Sequence, residues 1–269
     1  MKDLKNLLGK LPDTLEASYN TIYHQMMQRK ESCRIAENTI RWLLCSKRQL
    51  QSPELIAAAV LTNRDETDTT DEEADQYEED DILQFCSNLV VLDQSLGVFR
   101  LAYLSVREYF EKKEGYEQSR LQNMAFSTCL DILTFKSTSD TALLAGFGSY
   151  AIFFWPFHCS DFGPKGPAGA HRDNLLELLL RGWAGSQFFE SFEKWASGVR
   201  NLLLAQDDYY SKQLQKEGSR KLLASTTGPY HPVFLASTFG FIWILEVLFE
   251  DAGFDPGLKN EQEDSGISL

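Results

Sequence analysis

The sequence predicts a mainly α-helical protein with one short β-hairpin. Apolar residues recur three and four positions apart along most of the chain, which is the spacing of a helix with one buried face. Runs rich in β-forming residues are confined to two short, neighbouring segments. The chain has 269 residues with 43% hydrophobic and 12% aromatic content, which is enough apolar surface to build a core and unlike a disordered chain.

Three helices are predicted before the first long polar stretch. The first begins with a capping box formed by Asp13 and Glu16. The third begins at Ser52 as the N-cap, with Pro53 in the first helical position. Apolar stripes at helical spacing mark the first and second helices: Leu15, Tyr19, Ile22, Tyr23 and Met26, then Ile35, Ile40, Leu43 and Leu44.

An acidic run follows the third helix and carries most of the charge of the chain. Residues 65–81 contain 11 Asp and Glu and no Lys or Arg, so a net charge of −13 leaves −13 + 11 = −2 for the rest. Such a run is typical of a solvated loop, and the alternative is a docking strip for a basic partner. Neither interpretation favours nucleic acid, because phosphate binding requires clustered Lys and Arg.

The residues after the acidic run predict a winged-helix unit. A short helix over 82–88 precedes two strands over 89–92 and 98–103, and the loop between them ends in Gly97. A second capping box, Ser105 with Glu108, opens a further helix. We therefore predict a winged helix over 1–114 with an acidic insertion at 64–81. A DNA-binding role is not favoured, because the candidate recognition helix 82–88 has no Lys or Arg.

A helical bundle over 115–227 is predicted next, interrupted by a linker rich in Gly and Pro at 160–173. Its longest apolar stretch, 142–157, spans 16 residues and includes Gly146, Gly148, Ser149 and Tyr150, so it predicts a buried helix rather than a membrane span. The predicted helices after the first one cover 147–157, 174–181, 187–197 and 199–214, with a break at 225–228.

No pattern in the chain predicts a catalytic site, a metal site or a bound cofactor. The segment 146–151 matches a loose dinucleotide-binding pattern but lacks the flanking strands, so its small residues predict close helix packing instead. The histidines share no metal-ligand spacing with one another or with the cysteines: His24, His158, His171 and His231. We therefore predict that the protein is not an enzyme, and a hydrolase or transferase is an unsupported alternative.

The cysteines predict a reducing, cytoplasmic setting. Five are present, an odd number, widely spaced and mostly set among apolar residues: Cys33, Cys45, Cys86, Cys129 and Cys159. The N-terminus shows no basic segment followed by an apolar stretch, so no signal peptide is expected. Together with the absence of a predicted membrane span, this predicts a protein without a membrane partner.

Three segments resemble the region that follows the nucleotide-binding domain in fungal NACHT-ankyrin proteins, which are signal-transducing NTPases. They are Lys10-Leu-Pro-Asp-Thr-Leu-Glu-Ala-Ser-Tyr19, Leu101-Ala-Tyr-Leu-Ser-Val-Arg-Glu-Tyr-Phe110 and Ser149-Tyr-Ala-Ile-Phe-Phe-Trp-Pro-Phe-His158. The order and spacing of the segments carry the resemblance, which covers most of residues 4–160. No Gly-x4-Gly-Lys-Ser/Thr loop occurs in this chain, so nucleotide would act only through an NTPase domain that this chain lacks.

The C-terminal part, 228–269, resembles an ankyrin repeat at the start of an incomplete array. The segments 231–240, 244–248 and 253–256 are similar to the turn, the two helices and the β-turn of such a repeat, and His231 occupies a position that braces the turn. A new repeat begins at 266–269. Leu269 lies 36 positions after Val233, against a period of about 33, so a small insertion is implied.

The resemblance places Tyr103 at the nucleotide-sensing position of the family. The family motif usually begins with His, whose ring senses the phosphates of the nucleotide from the winged-helix side. A phenol cannot carry the charge of an imidazolium, so the chain departs from the family at this residue. The alternative interpretation is that Tyr103 is a half-buried aromatic residue of the second strand.

The resemblance implies a non-catalytic regulatory and protein-interaction segment of a NACHT-type signalling protein. The winged helix would restrain the NTPase domain, the ankyrin end would sense a protein partner, and the helical middle would transmit between them. The residues that contact the partner are not predicted by the sequence. The alternative is a free-standing adaptor or decoy from a truncated gene, and a DNA-binding winged helix or a hydrolase is less favoured.

Overall fold

The computed structural model describes residues 14–29, 32–62, 77–134, 141–180, 190–204, 216–226, 232–250, 257 and 259. These residues form twelve α-helices and a two-stranded antiparallel sheet, which confirms the prediction of a mainly helical protein with one β-hairpin. They belong to two compact units, Met1–Leu121 and Gln122–Leu269. The predicted parts 115–227 and 228–269 therefore both lie largely in the second unit.

Within the described residues, the first unit contains five complete helices, the hairpin and the start of a sixth helix. In chain order the elements are α1 (Leu15–Met27), α2 (Cys33–Cys45), α3 (Ser52–Leu61), α4 (Glu79–Phe85), β1 (Val90–Asp93), β2 (Val98–Leu101), α5 (Leu104–Glu111) and α6 (Gln118–Thr134). Each element lies within a few residues of its predicted position. Of the predicted acidic insertion, only residues 77–81 are described, and α4 begins among them.

Helix starts differ by one or two residues from the predicted caps, and the predicted capping box of Ser105 and Glu108 is wrong because Tyr103 is the N-cap of α5. Thr14 is the N-cap of α1 and its Oγ1 accepts a hydrogen bond from the Ala17 N–H at 3.1 Å, whereas the predicted cap, Asp13, lies outside the described residues. Gln51, and not Ser52, is the N-cap of α3, because the carboxylate of Glu54 accepts from the Gln51 N–H at 2.8 Å. Side chains that bond back to the first turn therefore set these starts.

Polar side chains of α2 hold the end of α3. The Asn38 Nδ2 donates to the carbonyls of Ala59 and Thr62, both at 2.9 Å, and Trp42 Nε1 donates to Thr62 Oγ1 at 2.8 Å. The Arg34 guanidinium adds a bond to the Val60 carbonyl at 2.8 Å. These donors satisfy the last carbonyls of α3, which have no partner within the helix. The two helices therefore form one rigid pair.

The hairpin is tied to the start of α3. Val90 pairs with Leu101 and Asp93 with Val98, and the loop between the strands closes at Gly97, whose φ is +63°. The Ser52 N–H donates to the Gly97 carbonyl at 2.8 Å. A left-handed conformation at this position suits glycine, as the loop prediction required.

In the second unit, the part of the chain that the structure describes forms most of α6 and six further helices. They are α7 (Thr141–Ser160), α8 (Ala170–Leu180), α9 (Glu190–Leu204), α10 (Lys216–Ser225), α11 (Pro232–Phe239) and α12 (Ile242–Glu250), with a 3₁₀ turn at Gly163–Lys165. Helix α9 runs without interruption through residues 197–199, where a break between two predicted helices was expected. The backbone of Gly198 stays helical, so this glycine does not end α9. A Cβ added to Gly198 would lie 3.8 Å from Ile152 Cδ1 of α7. Helix α10 was not predicted.

The aromatic run of α7 forms the core of the second unit. The Trp155 ring lies 5.5 Å from Trp195 of α9 and 6.3 Å from Phe241, which precedes α12, and Phe157 lies 5.1 Å from Phe239 of α11. The prediction of a buried helix here is confirmed. In the part of the chain that the structure describes, no helix has both the length and the apolar character needed to cross a membrane.

The dinucleotide-like segment 146–151 lies inside α7 and not after a strand. Its predicted role in close helix packing is wrong at Gly148, because a Cβ added there would meet no atom within 4 Å. The pattern therefore marks neither a phosphate-binding loop nor a tight crossing of helices at this glycine.

Candidate functional site

The start of α5 is exposed on the first unit because of the way the chain leaves the hairpin. Strand β2 ends at Leu101, and Tyr103 is the extended N-cap of α5, with φ −142° and ψ 156° and no side-chain capping bond. Further along α5, Val106, Tyr109 and Phe110 are buried and anchor the helix in the unit. The first turn of α5 is therefore fixed in place by residues that lie after it.

Three large side chains are exposed at this end of α5. Tyr103 is 69% exposed, Leu104 is 71% exposed, and Leu15 at the start of α1 is 58% exposed. We call these three residues the Tyr103 surface. The alternative sequence interpretation, a half-buried strand residue at Tyr103, is wrong because β2 ends two residues earlier. Isolated exposed apolar residues are common, but a group of them marks a surface for a partner.

A groove of about 360 Å³ between α1 and α5 shares Leu15 with the Tyr103 surface. We call it the α1–α5 groove. Leu15 lines one end and Lys112 and Lys113 line the other, and the carboxylates of Glu16 and Glu108 lie in the lining as well. The lining thus combines an apolar side chain with charged groups of both signs, which suits a binding surface.

Hydrogen bonds between α1 and α5 fix the walls of the groove. The hydroxyls of Tyr19 and Ser105 are 2.7 Å apart, and the Tyr109 hydroxyl donates to Asn20 Oδ1 at 2.8 Å. The rings of Tyr19 and Tyr109 lie 5.5 Å apart. These contacts run in the same order along both helices, so α1 and α5 are parallel neighbours with a preformed groove.

Lys113 lines one end of the groove, and its ammonium group lies over two tyrosine rings. Its Nζ lies 4.2 Å from the ring centroid of Tyr23 and 5.6 Å from that of Tyr109. Such contacts with a cation stabilise the ring arrangement. Burial raises the pKa of Tyr23 and of Tyr109, with a smaller upward contribution from Glu37 at Tyr23 and from Tyr23 at Tyr109. Both phenols therefore stay protonated at neutral pH.

The groove lining contains one serine, two tyrosines, two glutamates and two lysines as its polar and titratable side chains besides Asn20. Ser105 is the hydroxyl that could act as a nucleophile, but its partner is the phenol of Tyr19. A nucleophilic serine needs a neighbouring general base such as His, and the groove lining contains no His and no Cys. The apolar and charged side chains of the lining can position a partner.

A buried polar cluster in the second unit joins α6 to α7. His158 Nδ1 lies 2.5 Å from Gln122 Oε1, and His158 Nε2 lies 2.8 Å from the Tyr150 hydroxyl. Because the amide oxygen can only accept, Nδ1 carries the proton and Nε2 accepts from Tyr150. The His158 ring is fully buried, so the cluster acts as an internal brace. Sequence reasoning missed it, because Gln122 and His158 are far apart in the chain.

A buried ion pair in the first unit was also missed from the sequence. The Arg48 guanidinium donates to both carboxylate oxygens of Glu54, at 2.6 Å and 2.5 Å, and both side chains are buried. Glu54 also completes the capping box of α3. An acidic residue three positions after a helix start is the signal that was available, but it did not identify the arginine.

Of the other three histidines, none of which was predicted as a ligand, two lie in described residues. His24 is exposed in the last turn of α1, His171 lies with its ring centroid 6.4 Å from that of Phe126, and His231 falls outside the described residues. Among the described residues, no group of three or more His, Cys, Asp or Glu side chains could hold a metal ion.

All five cysteines lie in described residues, and no disulfide joins them. Burial raises the pKa of Cys86 to about 12 and raises the pKa of Cys159 as well. The two thiols therefore stay protonated and unreactive at neutral pH, because the thiolate is the reactive form.

Comparison with known proteins does not assign a family. No protein-family model matches the chain, no curated protein matches it, and no solved structure matches it. The resemblance to NACHT-ankyrin proteins therefore stays a prediction from the sequence, and the geometry of the Tyr103 surface is the basis for a functional proposal.

Proposed function

We propose that this chain is a non-catalytic regulatory and protein-interaction segment of a NACHT-type signalling protein. In this proposal the Tyr103 surface docks against a nucleotide-binding domain that the chain itself does not contain. The exposed start of α5 carries the proposal: Tyr103 and Leu104 project from a helix whose other apolar residues are buried. Covering these side chains with a partner removes apolar surface from water, which favours docking.

The arrangement of the first unit supports a winged-helix role. Helices α2, α3 and α4 pack on one another and are followed by the hairpin and then by α5. This is the element order that a winged helix requires, and the exposed residues of α4 are acidic rather than basic. Acidic residues repel nucleic-acid phosphates, so this surface favours a protein partner over DNA.

The helix pair α11–α12 supports a sensing role for the C-terminal part. A tight turn joins the helices: Gly240 has φ +71°, and the Phe241 N–H donates to the Ala236 carbonyl at 2.8 Å. Two short antiparallel helices joined in this way are the unit that ankyrin repeats stack. This supports the proposal that the C-terminal part takes part in partner recognition.

The test is a binding measurement between this chain and the polypeptide encoded directly upstream in its transcript. We expect the double variant Tyr103→Ser/Leu104→Ser to bind that polypeptide at least about tenfold more weakly, because aromatic and aliphatic anchors dominate such interfaces. The matched control is Leu96→Ser, which removes an exposed leucine at the hairpin tip of the same unit.

Equal affinity of the double variant and the wild type would contradict docking through the Tyr103 surface. Equal losses in the double variant and in Leu96→Ser would also contradict it, because the effect would then not depend on the start of α5. An upstream sequence with no phosphate-binding loop would contradict the proposed switch itself, and would favour the free-standing adaptor.

A further inference from the structure

The predicted linker at 160–173 lies against helix α12. Its 3₁₀ turn, Gly163–Lys165, packs on α12, and Gly166 lies with its backbone against the indole of Trp243. A Cβ added to Gly166 would lie 2.2 Å from Trp243 Nε1 and 2.4 Å from Cε2, which is closer than atoms can approach. The contact therefore requires glycine at position 166.

Arg172 contacts the same indole from the other end of the predicted linker, in the first turn of α8. Its guanidinium carbon lies 4.9 Å from the Trp243 ring centroid, and its Nη1 lies 3.5 Å from the Lys165 carbonyl oxygen. A guanidinium over an indole is an attractive contact. Residues on both sides of Pro167 thus contact one side chain of α12.

The indole is buried at a cost. Trp243 is 2% exposed, and its Nε1–H is buried without a hydrogen-bond acceptor within the described part of the chain. A buried donor without an acceptor destabilises the arrangement that buries it, and water satisfies that donor when the contact opens. The closed contact is therefore less stable than its packing alone would make it.

The linker is anchored to α6 as well as to α12. The Phe162 ring lies 5.3 Å from Phe126 of α6, and the His171 ring lies 6.4 Å from the same phenylalanine. These contacts do not involve Trp243, so they can persist when the linker leaves the indole. The linker thus connects a helix of the bundle to the C-terminal helix pair.

We propose that the contact of Gly166 and Arg172 with Trp243 is a latch that opens without unfolding the rest of the second unit. When it is closed, α12 and the linker move together. When it opens, the linker stays on Phe126 while the Trp243 indole becomes hydrated. The role of the latch in transmission from sensor to switch rests on the proposed function, whereas its opening is a property of this chain alone.

The test is hydrogen exchange on the full chain, read by mass spectrometry and by the indole N–H resonance of Trp243. Substitution Trp243→Phe assigns that resonance, since the chain has five tryptophans. In the wild type we expect the linker and the Trp243 indole to exchange at least about tenfold faster than the core of α7, because a local opening needs less free energy than global unfolding.

Three glycine variants separate the latch from ordinary backbone strain. Gly163, Gly166 and Gly169 have φ values of +66°, +67° and +58°, but a Cβ at Gly163 or Gly169 would meet nothing within 4 Å. All three alanine variants carry the strain of a left-handed alanine. We expect Gly166→Ala alone to shift the Trp243 indole resonance and to raise its exchange rate at least about tenfold.

Arg172→Ala provides a second variant that leaves the backbone unstrained. We expect it to raise the exchange rate of the Trp243 indole about threefold or more, through loss of the contact between the cation and the ring, while the exposed neighbour Lys165→Ala leaves the rate unchanged. Exchange of the linker only at the global rate of the α7 core would overturn the latch. Equal effects of the three glycine variants on the indole would also overturn it.

The latch and the proposed docking fail in distinguishable ways. The latch measurements use this chain without any partner, and they report on Trp243 and the linker. The docking measurements report on Tyr103 and Leu104, which belong to the other compact unit. Either result can be negative while the other is positive.

Discussion

Neighbouring side chains in the segment 101–110 have opposite environments. Leu104 is largely exposed, whereas Val106, two residues later, is buried against the first unit. Helical spacing predicts this contrast for Val106 and Phe110, because they share the inward face of α5. It does not predict the exposure of Tyr103, which depends on where β2 ends and on the lack of a capping bond. Tyr103 and Leu104 are therefore available for a partner without a change in the fold.

Substitution of the exposed residues should leave the fold intact. We expect Tyr103→Ser and Leu104→Ser to change the free energy of unfolding by no more than about 0.5 kcal/mol each, because exposed side chains contribute little. Val106→Ala, on the buried face of the same helix, should cost about 2 kcal/mol through lost packing. Urea denaturation of the three variants checks this. A large loss at Tyr103 would mean that the residue supports the fold and not a partner.

The buried thiol of Cys86 should make stability depend on pH in the alkaline range. Burial raises its folded-state pKa from 9.0 to about 12, so the folded state retains a proton that the unfolded state loses. The contribution of Cys86 to the free energy of unfolding is then fully present below pH 9. It decreases by about 1 kcal/mol per pH unit as the pH rises towards 12.

Comparison with Cys86→Ala isolates this effect from the tyrosines that titrate in the same range. We expect the stability difference between wild type and Cys86→Ala to be constant from pH 7 to about pH 9 and to shrink above it, as measured by urea denaturation at each pH. A stability difference that stays constant up to pH 11 would show that burial does not raise the pKa of the Cys86 thiol.

At the scale of elements, the pair α2–α3 depends on polar side chains inside its contact. The Asn38 amide is buried and donates to two carbonyls at the end of α3. Removing it leaves both carbonyls without this donor in a site that water does not reach. The pairing of the two helices thus depends on one amide as well as on apolar packing.

Asn38→Ala should therefore destabilise the first unit by about 2 kcal/mol, the usual cost of an unsatisfied buried group. The exposed amide Gln25→Ala on α1 is the control, and it should change stability by less than about 0.5 kcal/mol. Thermal or urea unfolding followed by circular dichroism measures both. Similar small effects would mean that water replaces the Asn38 bonds.

Two ion pairs in the first unit offer a matched comparison of buried and exposed charge. Glu54→Gln should cost about 3 kcal/mol, because it leaves the guanidinium of Arg48 buried without its charged partner. Glu111→Gln breaks the exposed pair with Arg107 and should cost less than about 1 kcal/mol. The same denaturation assay compares them. Equal costs would show that the Arg48–Glu54 pair is reached by solvent.

Elements with strong apolar periodicity were predictable, and features that depend on distant partners were not. The stripe of α2 and the aromatic run of α7 are encoded locally, so their helices lie close to the prediction. The break predicted at 197–199 was wrong, because α9 continues through Gly198 despite the low helix propensity of glycine.

The environment of the candidate site could not be predicted from the sequence, and the role that the resemblance gives to Tyr103 stays a prediction. The resemblance indicated Tyr103, and the structure adds its exposure and the α1–α5 groove. The Tyr19–Ser105 bond joins residues that are 86 positions apart, so no local pattern could have found it. The contact of Gly166 with Trp243 is of the same kind, because the sequence shows only a Gly- and Pro-rich segment and not what it packs against.

At the scale of the whole molecule, the proposed function needs both compact units. The Tyr103 surface belongs to Met1–Leu121 and the latch belongs to Gln122–Leu269. The first would hold a nucleotide-binding domain, and the second would pass on the state of the C-terminal helix pair.

The most direct test of this account is to sequence the transcript on both sides of this reading frame. We expect a Gly-x4-Gly-Lys-Ser/Thr phosphate-binding loop upstream, in frame with Met1, and further repeats of about 33 residues downstream. An in-frame stop codon directly upstream, with no phosphate-binding loop in the transcript, would contradict the account.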